Sequence, residues 1–123
     1  MTLTISPPSS VLLVVGREEF TPPRTFGGRA CTATGDCLAV AVAAGAPVEL
    51  TLAPAPDTSG LVALGRYEIE TEGLLSVRDV YSREYDTMGT APGRVAVTVW
   101  GDDEDAPARV ALQVAPVDRP ISG

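Results

Sequence analysis

Hydrophobic residues fall on alternate positions through most of this chain. Within residues 29–52, Leu38, Val40 and Val42 alternate with Cys37, Ala39, Ala41 and Ala43, and then Val48, Leu50 and Leu52 alternate with Glu49, Thr51 and Ala53. A period of two puts one set of side chains on a buried face, so this stretch predicts three consecutive antiparallel strands. The same period returns at Tyr67, Ile69 and Thr71 against Arg66, Glu68 and Glu70. It returns again at Val95, Val97 and Val99, which leave Arg94, Ala96, Thr98 and Trp100 opposite, and at Val110, Leu112 and Val114. Val11–Val15 is apolar without a break, which predicts a strand covered on both faces. No heptad, internal repeat or useful helical period is present.

Turn residues divide these segments. Gly35 and Asp36 suit a two-residue hairpin turn that sets Thr34 opposite Cys37, Ala33 opposite Leu38 and Cys31 opposite Val40. That register places Cys31 on the Leu38 face and Cys37 on the other, so two free thiols are expected rather than a disulfide. Residues 53–60 (APAPDTSG) read as a rigid crossover of Greek-key type between sheets. Gly65 marks a bulge, and Pro92 with Gly93 fits a type II turn joining two paired strands. A turn at Gly73 would pair Ile69 with Val77 and set Glu68 opposite Arg78. Residues 17–28 form a long loop in which Phe20 and Phe26 fold back over an open end of the core. The whole predicts an all-β fold: residues 1–115 as one two-sheet antiparallel β-sandwich of about eight or nine short strands, with a small β-barrel as the alternative. Residues 116–123 read as a loose, flexible C-terminal tail.

The chain has 123 residues, enough for a single hydrophobic core without staples. Its net charge of −7 opposes nucleic acid or an anionic membrane as partner, because both require a basic face. A basic protein partner is the expectation that charge supports. All nine cations are arginine, and with abundant Ala, Val, Pro and Gly this bias fits a GC-rich bacterial genome. The first ten residues carry no basic start and no signal-like apolar core, which gives a cytoplasmic expectation.

The chain has no histidine, so Ser-His-Asp and Cys-His nucleophilic arrangements are excluded. Without lysine there is no side-chain Schiff base and no Walker-type phosphate loop. Asp79, Glu84 and Asp86 form the one group suited to carboxylate-only catalysis or small-ligand binding, although acids, tyrosines and arginines intermixed also describe a solvated or protein-binding face. Asp102, Asp103, Glu104 and Asp105 could offer oxygens to calcium but lack EF-hand spacing, and a solvated hairpin tip is favoured over a metal site. Arg29 after Gly27 and Gly28 is too common a combination to define an anion nest. No cofactor is indicated. Tyr81, Arg83, Tyr85 and Trp100 are the residue types that dominate protein interfaces, and a pairing through Pro92-Gly93 would gather them on one outward face. The functional expectation is therefore a protein-binding module such as an immunity protein, inhibitor or assembly adaptor. Self-association through Thr2–Ile5 or residues 109–115 into a homo-oligomer is the structural alternative.

Overall fold

A computed structural model of the chain describes residues 2–7, 10–23, 30–81 and 83–117. Ten strands follow in order: β1 (Thr2–Ile5), β2 (Val11–Val15), β3 (Cys31–Ala33), β4 (Cys37–Ala41), β5 (Val48–Ala53), β6 (Val62–Thr71), β7 (Leu74–Arg78), β8 (Glu84–Gly89), β9 (Gly93–Gly101) and β10 (Arg109–Pro116). They build two five-stranded sheets, ordered β1-β5-β10-β9-β6 and β3-β4-β2-β7-β8, which stay separate rather than closing into a barrel. This is the expected all-β sandwich, but it is not wholly antiparallel: β5 and β10 are parallel. β6 runs in the direction of β5, and the two antiparallel steps from β6 to β9 and from β9 to β10 return the chain to that direction beside β5.

The alternation works as the sequence implied. Leu12, Val14, Leu38, Val40, Leu75 and Val77 from one sheet meet Val48, Leu50, Ile69, Val97, Val99 and Leu112 from the other in one core. Each fully buried side chain of this size contributes about 1.5–3 kcal/mol of apolar transfer. β2 is covered on both faces. Its Leu13 and Val15 join Cys37 and Ala39 in a second, smaller cluster on the outer side of their sheet, with Phe20 packed against it. Phe20 thus covers a sheet face, not the end of the main core. The backbone N–H of Thr21 donates to Asp36 Oδ1 at 2.9 Å, which ties that segment down over the β3–β4 turn. Phe26, residues 27–29 and residues 118–123 lie outside the described residues.

Period-two patterning assigns a face but not a partner, and the strand pairings differ accordingly. The β3–β4 hairpin has the expected register, and both cysteines are free. β5, however, leaves that meander for the opposite sheet and pairs with β1 and β10. The 53–60 crossover stays within one sheet, passing over β10 and β9 to reach β6. β6 and β7 are not a hairpin: β6 pairs with β9, and β7 pairs with β2 and β8. Glu68 consequently meets Arg66 and Arg94, while Arg78 meets Glu18. β8 and β9 likewise belong to different sheets, although Gly93 does take the positive φ of 124° that only glycine adopts readily. β10 lies third in its sheet and has no open edge.

Where the two sheets meet along one side, their strands are stitched together. The N–H groups of Glu70 and Glu72 donate to the carbonyls of Gly35 and Gly16, both at 2.8 Å. The Tyr67 hydroxyl donates to the Cys31 carbonyl at 3.1 Å.

Candidate functional site

The connection from β7 to β8 is organised by one carboxylate. Asp79 follows directly on β7 and is only 2% exposed. Its Oδ1 accepts the backbone N–H groups of Tyr81 at 2.8 Å and Arg83 at 3.0 Å. Its Oδ2 accepts the Tyr85 hydroxyl at 2.9 Å. The Asp79 N–H in turn donates to the Arg83 carbonyl at 3.0 Å, closing the loop on itself. An aspartate bonding N–H groups two and four residues ahead mimics a backbone turn and fixes the chain where no strand partner can. Burial pushes the carboxyl up, but the three hydrogen bonds and the nearby Arg83 charge more than reverse this, so it titrates below the ordinary carboxylate range.

A bulge completes the arrangement. Val77 faces Asp86 and Arg78 faces Glu84, so Tyr85 is the extra residue on β8. A bulge re-aims its side chain. The Tyr85 ring packs at the margin of the core, and the Arg83 guanidinium lies 5.8 Å from its centroid. Burial and then the Asp79 hydrogen bond both raise the Tyr85 hydroxyl above its ordinary value. What remains for solvent is Tyr81, 75% exposed, beside Val80, 43% exposed. The loop therefore presents an aromatic ring and an aliphatic side chain on a backbone held from within.

Tyr81 and Arg83 of the loop and Tyr85 at the start of β8 are thus brought together, since all three bond to Asp79. Trp100 is not with them. It faces outward on β9, as its alternation with the valines predicted, between Ala63 of β6 and Ala111 of β10. Its Nε1 donates to Gln113 Oε1 at 3.1 Å. The grouping required β8 to pair with β9, and those strands lie in different sheets.

The three candidate carboxylates serve separate local tasks. Asp79 braces its loop, and Asp86 Oδ1 accepts the neighbouring Thr87 N–H at 2.9 Å. Glu84 lines a groove of about 330 Å³ with Arg17, Glu18, Glu72, Ser76 and Arg78, whose walls include neither Asp79 nor Asp86. At the acidic tip, Asp102 Oδ1 accepts the N–H groups of Ala108 and Arg109, and Asp103 Oδ1 those of Asp105 and Ala106. These carboxylates shape a turn. Among the described residues no group of three acidic, histidine or cysteine side chains is placed to hold a metal ion, and no helix is long and apolar enough to cross a membrane. The bracing role of Asp79 is the feature of the candidate site that the sequence pattern does not show. An aspartate closing a strand, with Tyr and Arg two and four positions ahead, was the available signal for a braced loop.

Comparison of the chain with protein-family models, curated proteins and solved structures gave no match in any of the three.

Proposed function

We propose that this β-sandwich acts by binding another protein through the β7–β8 loop, with Tyr81 as the anchor and Arg83 and Val80 beside it. The observation that carries the reading is the exposure of Tyr81 on a backbone pinned by an enclosed carboxylate. Association ordinarily loses free energy in ordering loops and side chains, and N–H groups of Tyr81 and Arg83 already bonded to Asp79 reduce that cost. Tyrosine supplies large contact area with few rotatable bonds. The net charge of −7 steers such a module toward a basic partner and repels nucleic acid. An inhibitor, an immunity protein and an assembly adaptor all work this way. Trp100, engaged by Gln113 on the other sheet, supplies a separate surface and a control.

The test is site-specific photo-crosslinking in the native host. A benzophenone side chain at position 81 is expected to give a discrete adduct that weakens as salt is raised, while the same probe at Glu104 gives none. Tyr81→Ala should reduce co-purification of that partner at least tenfold, and Trp100→Ala should leave it nearly unchanged. Equal labelling from both positions, or no discrete adduct from position 81, would overturn the reading.

A further inference from the structure

The crossover from β5 to β6 stands off the sheet that it spans. Residues 53–60 leave β5 and pass over the outer faces of β10 and β9. Ala111 of β10 is turned outward by its alternation with Val110 and Leu112, yet it is only 2% exposed, because the crossover lies above it. The floor under that segment is made of small side chains, Thr51 and Ala53 of β5 with Ala111. Pro54 and Pro56 stiffen the chain above by fixing φ. A hollow of about 310 Å³ remains between the two, a size at the lower end for small-molecule sites.

Charge gathers at this hollow. Glu49 and Arg109 are register partners on its border and form an ion pair through Arg109 Nε at 3.4 Å. That contact leaves the two terminal guanidinium nitrogens. Nη1 reaches the crossover, 3.9 Å from the position that a Cβ on Gly60 would take, and among the described residues neither Nη1 nor Nη2 makes a hydrogen bond. Asp57, on the crossover, is the second acid. Its Oδ1 accepts the Ser59 N–H at 3.0 Å. That bond first, and the charge of Arg109 after it, hold the carboxyl below the ordinary range, so it is ionised at neutral pH. The hydroxyls of Thr2 and Thr51, bonded to each other at 2.9 Å, also border the space.

We propose that the hollow under the crossover binds a small zwitterion of the α-amino acid type, its carboxylate on the Nη1 and Nη2 groups of Arg109 and its ammonium against Asp57 and Glu49. An arginine edge takes a carboxylate through two parallel hydrogen bonds. The two neighbouring acids select against a simpler ligand. A bare anion would meet both carboxylates and the chain's net charge of −7, whereas a bare cation would meet Arg109. A ligand with both signs and no net charge matches all three side chains. None of Asp79, Glu84 and Asp86 borders this hollow. It lies on the sheet opposite the Tyr81 loop, so the two sites are independent of each other.

Titration of the full isotope-labelled chain, read by amide chemical shifts, tests the proposal. The probes are each protein amino acid in turn, with acetate and methylammonium as the separated halves, all at constant ionic strength. At least one amino acid should shift the amides of Ala53, Asp57 and Ala111 saturably, with a Kd of about 1 mM or below. Either half alone should bind about tenfold more weakly or worse, since it satisfies one sign only. Arg109→Gln gives up a half-exposed ion pair of little worth to the fold, and should weaken binding about tenfold or more. Arg66→Gln, the same change of charge on β6, should leave the affinity unchanged. Ala53→Leu adds no charge but fills the hollow, and should abolish binding. The absence of a saturable shift from any amino acid, acetate or methylammonium binding as tightly as the best of them, or an unaltered affinity in Arg109→Gln would each overturn the proposal.

Discussion

Asp79 is enclosed by its own loop rather than by the core, and its effect on stability follows from what it accepts. Its pKa lies below the ordinary 3.8, so the folded chain holds that proton less tightly than the unfolded chain. The stabilisation is therefore complete above the unfolded value and is lost as pH falls through the folded one. Asp79→Asn should cost roughly 1–2 kcal/mol near pH 6, by removing charge-assisted acceptors. The gap in urea midpoint between variant and wild type should narrow as pH falls below 3.8, and a gap independent of pH would show that the carboxylate is not the operative group. Tyr85 has the opposite sign, its raised value giving stability below pH 10.0 that is lost as pH rises through the folded pKa. Burial acts on Cys37 as well, its thiol pushed up to about 12 by desolvation and then by Asp36. Native protein at pH 8 should leave Cys31 and Cys37 unlabelled by a thiol reagent over minutes, and both should react in denaturant, since only the thiolate attacks. The pattern showed which way both cysteines face because hairpin register is local. It did not show that Asp79 turns inward, because side-chain-to-backbone bonding leaves no hydrophobic period to read.

The seam between β2 and β6 shows how strand ends control sheet placement. Gly16 closes β2 and presents its carbonyl to Glu72. A Cβ on Gly16 would lie 2.6 Å from Thr71 Cα and closer still to the Glu70 carbonyl oxygen, and both are backbone atoms that cannot swing aside. Gly16→Ala should therefore destabilise by about 1–3 kcal/mol, the range for forced overpacking, and chemical denaturation reads it directly. The Arg17 ion pairs with Glu70 and Glu72 across the same seam are exposed. Arg17→Ala should cost less than about 1 kcal/mol. Comparing the two variants separates backbone closeness from charge: equal losses would mean that the ion pairs hold the seam. Strand existence was readable here because each element needs only its own alternation. Partner choice was not, since Ile69 fits a core beside Val77 or beside Val95 equally well, and nothing near Gly73 encodes the change of sheet. Trp100 was misgrouped for the same reason: its outward orientation was local, whereas its neighbours depended on which sheet received β9.

Across the molecule the chain changes sheets after β1, β4, β6 and β8, so most pairings join residues distant in sequence. Thr51 sits between Thr2 and Ala111, and neither β5 contact can form until long loops close. Loop closure must precede the contacts that compensate for it, which slows folding of all-β sandwiches into the millisecond-to-second range. Leu52 and Leu112 face each other across the parallel β5–β10 pair, and both are buried in the core. They join β5 to the C-terminal strand in one core, so Leu52→Ala and Leu112→Ala should each cost about 2–5 kcal/mol through lost burial and a residual cavity. Because the two sites touch, their effects should be less than additive in the double variant. Stopped-flow refolding should place wild type in that slow range. Strict additivity, or refolding within microseconds, would mean that the β5–β10 pairing does not join the two ends of the chain.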